Sequence, residues 1–308
     1  MRIIQALWRR SKRVQKSAII LDLDNTIWDW VEIWFRGFKP IYDGIKSLVP
    51  EDESEICRQI SAVHQKYHTS EYSLMTAELP CLLKRFGTVE GISKALEPYL
   101  KEARIARKKA TELYIGVGDT LLKIKPKGAF IIGYTESQEF YTLRRIKQIG
   151  MDGVFDSIYL SQDRLSDNFS PESRLYKKSE YELSQTKLRK LPLGELKPNP
   201  QVLRDIMDDF NLDAADCVYV GDSLMKDIPM AQALGVEDVF AKYGTAQHRE
   251  EYDLLRAVTH WTPEDVQREK EISANKTVKP TYTLKNSLYE IFDYFDFYRS
   301  QSQDRIAR

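Results

Sequence analysis

Three cysteines, Cys57, Cys81 and Cys217, with no CxxC spacing and an odd count, suit reduced thiols in a cytoplasmic protein better than a disulfide framework. No apolar run approaches the ~18 residues that a membrane-spanning helix needs. Charge of one sign is also lacking, since 46 basic residues balance 46 acidic ones. Nothing global therefore points to nucleic acid or to an anionic membrane, and any electrostatic role has to be local. His64 and His68 are four apart on a predicted helix, but a third ligand and the glutamate of a zinc-protease motif are missing, so they are read as a solvated or packed pair.

What is present is an ordinary globular composition, 42% hydrophobic and 30% charged over 308 residues, enough for about two domains. Residues 1–17 form a basic extension with Arg2, Arg9, Arg10, Lys12, Arg13 and Lys16 and no acid. It lacks the apolar core and cleavage site of a secretory signal, and is read first as a loosely ordered or core-packed terminal segment, with weak peripheral contacts through an amphipathic helix as the lesser reading. Strands are predicted at 18–21, 130–134, 157–160, 217–220 and 239–241, with helices at 138–148, 200–210 and 227–234 between them. Between the first two strands lies a block of some eighty residues with helical signals only, broken at Pro80 and Pro98. The pattern predicts an α/β fold: a doubly wound, mostly parallel, Rossmann-like sheet made from residues 18–29 and 116–244, with an all-helical cap at 30–115. Residues 161–196 are a long insertion within that core, and 245–308 a C-terminal helical extension that closes with a helix around Leu288 to Phe295.

The chemistry gathers where strands end. Ile19-Ile20-Leu21 runs into Asp22-Leu23-Asp24-Asn25-Thr26. Residues two apart on an extended segment face the same way, so both carboxylates reach one ligand. Their repulsion predicts a bound cation, an acid/base assignment, or both. Thr135-Glu136-Ser137 follows the second strand, Lys197 stands in Lys-Pro-Asn-Pro before a helix, and Gly221-Asp222-Ser223 follows Val218-Tyr219-Val220, with Asp227 opening the next helix. In a doubly wound sheet these segments meet at the carboxyl edge. Gly221 is read as backbone freedom after a strand, and Asp227 as a helix starter whatever else it does.

These four motifs, in this order over residues 18–235, resemble the haloacid dehalogenase superfamily. The resemblance implies that Asp22 is a nucleophile and metal ligand, Asp24 a general acid/base that also offers its backbone carbonyl to the metal, and Asp222 a further metal ligand. It implies that Thr135, Lys197 and the turn at Asn25 hold a phosphate, with Lys197 also anchoring the nucleophile, and that Asp227, with Gly221 and Ser223, supports the metal or Lys197. The implied cofactor is Mg²⁺, and the implied activity is hydrolysis of a small phosphorylated metabolite through an aspartyl-phosphate. The alternatives are a phosphomutase, phosphonatase or dehalogenase on the same scaffold, or a phosphate-sensing or protein-binding module that has lost catalysis. Trp28, Trp30, Trp34, Phe35, Phe38 and Tyr42 form an aromatic entry to the cap, read as packing first and as contact to a leaving group second. Two departures stand out. Asn25 occupies a position often taken by glycine, and Glu136 follows the motif-two threonine, where an acid would repel phosphate unless it turns away.

Overall fold

The computed structural model describes residues 13–164, 176–192, 194–267, 271 and 278–299. Residues 1–12, which carry most of the basic extension, lie outside the described residues, as do 165–175 of the insertion. In chain order the elements begin with β1 (Val14–Lys16) and β2 (Ala18–Leu21). The helices α1 (Trp30–Leu48), α2 (Glu53–Tyr67), α3 (Met75–Glu78), α4 (Pro80–Phe86) and α5 (Val89–Ala110) follow. Then come α6 (Val117–Ile124), β3 (Phe130–Gln138), α7 (Glu139–Gln148), β4 (Ser157–Ser161), β5 (Lys187–Leu191), α8 (Pro200–Asp209), β6 (Cys217–Gly221) and α9 (Asp227–Ala233). The chain closes with β7 (Glu237–Ala241), α10 (Glu250–Val258), β8 (Tyr282–Leu284), a 3-10 turn at Leu288–Asp293 and β9 (Phe295–Phe297).

Seven strands form one parallel sheet in the order β5-β4-β3-β2-β6-β7-β8. The chain moves outward from β2 on both sides, which is the doubly wound arrangement expected. β2 is central because all four of its residues are fully buried and apolar, as a strand covered on both faces must be. Its alternation divides the interior. Ile19 and Leu21 pack with Ile131, Val218 and the apolar faces of α6 and α7. Ala18 and Ile20 face the other way, onto Ile132, Tyr219 and residues of α8 and α9. A third cluster fills the helical insert, where Val31, Trp34, Phe38, Ile60, Leu82 and Leu96 meet. Along α1 the aromatic residues stack at four-residue spacing, Trp30 on Trp34 at 6.3 Å, Trp34 on Phe38 at 4.7 Å and Phe38 on Tyr42 at 5.9 Å between ring centroids.

Several local expectations differ from what the chain does. Pro80 begins α4 at its first turn, where its missing N–H costs nothing, but Pro98 lies inside an unbroken α5. Pro98 is on the exposed side, so water serves the carbonyl it leaves free, while Ile92, Leu96 and Ala103 stay buried on the inner face. The segment beyond 245 is not all helix. It supplies α10, then β8 to the edge of the main sheet, and Leu288 to Phe295 forms a 3-10 turn leading into a strand rather than a docked α-helix. β9 pairs in parallel with β1, so the described end of the basic extension is tied down there. The insertion after Ser161 is not merely a solvated excursion either, because its β5 adds the opposite edge strand.

α10 packs on the insert rather than on the sheet, with Tyr252, Leu255 and Val258 joining the insert's apolar cluster. His64 on α2 fastens it. The ring is buried and its Nδ1–H donates to the Val258 carbonyl at 2.6 Å. Burial holds the imidazole down to about 4. Above pH 6.5 the ring is neutral in both folded and unfolded chains; between 6.5 and about 4 only the unfolded ring takes a proton, so stability falls as pH drops through that window. In urea unfolding followed from pH 7 to 4.5, His64→Asn is expected to lose less stability than the parent by about 2 to 3 kcal/mol. Equal slopes for the two proteins would refute this account of His64.

Candidate active site

Asp22 follows β2 directly, and its N–H still donates to the Val220 carbonyl of β6 at 2.9 Å, so sheet pairing carries the first carboxylate to the edge. The chain then turns: the N–H groups of Thr26 and Ile27 donate to the Leu23 carbonyl at 3.2 and 2.8 Å. Asn25 takes φ of 57°, a left-handed conformation that asparagine tolerates, so the turn forms without glycine. The Asn25 side-chain oxygen accepts the Val31 N–H at 3.2 Å and so serves the start of α1. From the far side, the Tyr243 hydroxyl donates to the Thr26 carbonyl at 2.7 Å. Gly244 passes so near that a Cβ there would sit 1.6 Å from the Asn25 carbonyl oxygen. No other residue fits at 244.

The four motifs meet around this turn. The Lys197 ammonium, on a residue only 6% exposed, donates to Asp22 Oδ1 at 2.5 Å and to Asp227 Oδ1 at 3.0 Å. It also lies 4.6 Å from the ring centre of Tyr134 and 5.7 Å from that of Tyr219. Asp227 is itself held by the Tyr219 hydroxyl and the Ser223 N–H, each at 3.0 Å. Its carboxyl group presses against β6 so closely that a Cβ on Gly221 would lie 2.3 Å from Asp227 Cγ. Gly221 is thus required by the approach of Asp227, not by backbone freedom. Ser223 Oγ accepts the Lys226 N–H at 3.1 Å and shapes the turn into α9.

Oxygens of Asp22, Asp222 and Asp227 lie within 4.8 Å of one another. Three carboxylates surround one ammonium, and burial together with that surplus negative charge shows in the protonation of Asp22 and Asp222. Burial, with Asp227 and Asp24 adding to it against Lys197, pushes Asp22 up to about 7. Burial and the charge of Asp22 raise Asp222 well above the usual carboxylate range. A divalent cation would remove that repulsion, and hard carboxylate oxygens are the donors a small divalent ion prefers.

Asp24 stands apart from the cluster. Its Oδ1 accepts from Trp28 Nε1 at 2.7 Å and from Arg145 at 3.4 Å, and its Oδ2 from Ser137 Oγ at 2.6 Å and Thr135 Oγ1 at 3.3 Å. Arg145 also pairs with Glu71 of the helical insert, which binds Trp30 Nε1 at 2.9 Å. The sequence pointed to neither Arg145 nor Glu71, and it gave Trp28 and Ser137 no role at Asp24. Ser137 could have been found, since it shares a strand face with Thr135 two residues earlier. For Arg145, two helical turns farther on, no spacing rule speaks.

Glu136 does turn away. One carboxylate oxygen accepts the backbone N–H of Lys197 at 2.7 Å and the other pairs with Lys226 Nζ at 2.5 Å. The acid that departs from the motif is neutralised by a lysine inside the last motif, and it also holds the Lys197 segment in place.

With that geometry in hand, a comparison with protein families finds that the haloacid dehalogenase-like hydrolases match over residues 16–235, and a HAD-hydrolase-like family over 196–285. The chain belongs to the haloacid dehalogenase-like hydrolase family. No curated protein sequence matches it. Among solved structures it is similar to a 2-haloacid dehalogenase from Pseudomonas syringae pv. Tomato DC3000, at 14% identity over 91% of this chain and 97% of that one, with a TM-score of 0.49. A HAD phosphatase from Thermococcus onnurineus is similar at 16% identity over 89% and 95% of the two chains, with a TM-score of 0.47. A haloacid dehalogenase-like family hydrolase from Xanthomonas campestris matches at 14% over 87% and 97%, with a TM-score of 0.48. At that level of likeness, none of them speaks to this chain's substrate.

Within this hydrolase the Glu136–Lys226 pair is expected to be structural. Glu136→Gln should lower unfolding stability by roughly 1.5 to 3 kcal/mol, as for a charged hydrogen bond lost, and adding Lys226→Met should return part of it. Chemical denaturation of the two single variants and the double variant measures the coupling; additive losses would mean the pair contributes nothing.

Proposed function

We propose that the protein is a Mg²⁺-dependent phosphatase of a small phosphorylated metabolite, with the helical insert acting as its cap. The observation that carries this reading is the separation of two carboxylates from one turn. Asp22 is drawn into a cluster with Lys197, Asp222 and Asp227, while Asp24 is held outside it by Trp28, Ser137, Thr135 and Arg145. Mg²⁺ would be held by Asp22, Asp222 and the backbone carbonyl of Asp24, and it would screen the charge of the phosphoryl group from the attacking carboxylate.

Asp22 attacks phosphorus, forming a phosphorus–oxygen bond as the bond to the leaving oxygen breaks, and becomes the aspartyl-phosphate. Lys197, Thr135 and N–H groups of the 22–27 turn stabilise the charge on the phosphoryl oxygens, with Lys197 kept in place by Asp227. Asp24 gives the leaving oxygen its proton and then takes one from the water that cleaves the intermediate. Trp28, Ser137 and Arg145 fix its orientation for both transfers. A dehalogenase has no use for a proton carrier at Asp24, so this second cradle favours phosphoryl transfer. A phosphonatase needs a Schiff-base lysine from the cap, and Lys84, Lys94, Lys101, Lys108 and Lys109 are all exposed.

Purified protein is expected to hydrolyse a generic aryl phosphate with Mg²⁺, to stop with EDTA, and to show no turnover as Asp22→Asn. Asp24→Asn should reduce kcat by about 10²- to 10⁴-fold. Metal-independent turnover, or full activity of Asp22→Asn, would sink the mechanism.

A further inference from the structure

A cavity of about 340 Å³ lies between the helical insert and the sheet domain, walled by α1, α5 and the 70–76 segment on one side and by Gln138 and α7 on the other. Asp22, Asp24, Asp222 and Lys197 are not in its lining. Its link to them runs through Glu71, a wall residue whose carboxylate binds Arg145, the residue that donates to Asp24. The cavity thus lies next to the ion pair that holds Asp24.

The cavity's charge is unusual. Arg104, Arg107, Arg144 and Arg164 all line it, and among the described residues no carboxylate lies within ion-pair distance of any of the four. Glu71 is the acid in the lining, and it is already taken by Arg145 and Trp30. Guanidinium groups stay charged at any working pH, so gathering them without acids repels and costs stability unless an anion enters. Consistent with this crowding, burial and the charge of Arg107 push Arg144 down from its ordinary range.

A second observation is independent of charge. Gln138, only 6% exposed, also lines the cavity, and its buried Nε2 finds no acceptor among the described residues. A buried amide donor left unmet costs about 1 to 3 kcal/mol, so an oxygen acceptor is wanted at the same place. Room for Arg107 is built in: a Cβ at Gly37 of α1 would lie 3.0 Å from Arg107 Cδ. The rest of the wall is apolar, with Trp34, Phe38, Leu100 and Phe140 among its members.

We propose that this cavity receives the leaving group of the substrate and selects one with an apolar body ending in a second anionic oxygen group, bound by Arg107, Arg144 and Gln138. The proposal rests on the phosphatase reading for its kinetic test but not for its binding test. Both a carboxylate and a second phosphate have the required chemistry, and the substrates separate them. The wild type should favour 4-carboxyphenyl phosphate or 1,4-phenylene bisphosphate over phenyl phosphate by about tenfold or more in kcat/KM, the size of one charge-assisted hydrogen bond. The preference should collapse towards unity in Arg107→Gln and Arg144→Gln, survive in part in Arg144→Lys, and persist in the exposed control Lys94→Gln, which should also retain turnover of phenyl phosphate. If phenyl phosphate is used as well as both anionic compounds, the proposal is wrong and the phosphatase reading stands. If no aryl phosphate is hydrolysed, that reading fails and binding decides the cavity alone. By ligand-observed NMR on the full chain, benzoate or phenylphosphonate should bind about tenfold more tightly than benzamide, with the difference lost in the Arg107→Gln/Arg144→Gln double variant. Equal binding of charged and neutral probes to the wild type would overturn it.

Discussion

The buried Lys197 ammonium between Asp22 and Asp227 is the interaction on which the rest of the site depends. A lysine this enclosed is tolerable only when its charge is matched, and two carboxylates and two aromatic faces match it. Each partner comes from a different part of the chain: the end of β2, the start of α9, the strands β3 and β6. Bringing them together requires the sheet order to be what it is, with β3 and β6 on either side of β2. Gly221 follows from the same contact, since Asp227 reaches Lys197 only by pressing on the β6 backbone.

Excess charge is distributed in two opposite ways. Around Asp22 the carboxylates outnumber their counter-charges, which is the state a cation would relieve. Across the interface with the helical insert the guanidinium groups outnumber the acids, which is the state an anion would relieve. Arg145 stands between the two, bonded to Asp24 of the sheet domain and Glu71 of the insert. Any shift of the insert relative to the sheet is therefore felt at Asp24, the residue assigned to move the proton.

The motifs that meet at the candidate site were legible because each one is local. A buried β strand ending in acids, a hydroxyl after a strand and a Gly-Asp-Ser turn are read from neighbours in the chain, and the parallel sheet then brings strand ends to one edge. The strand and helix positions of the 130–241 region followed from short apolar runs and helical spacing for the same reason. The additions at the edges were less legible. β5, β8 and β9 are short, and their pairing partners lie far away in sequence, so alternation alone could not distinguish them from loop or helix. Pro98 misled because a proline's effect depends on which side of the helix faces water.

By itself the sequence determined the fold class, the helical insert and the ordered set Asp22, Asp24, Thr135, Lys197, Asp222 and Asp227, because burial patterns and motif spacing are properties of contiguous chain. Tertiary structure decided which charges meet. It set Glu136 against Lys226, placed Arg145 between Asp24 and Glu71, and left Arg107 and Arg144 facing a cavity whose lining acid among the described residues, Glu71, is taken by Arg145. Electrostatic energy depends on distance through space, and residues far apart in the chain acquire that distance only when the sheet and the insert pack.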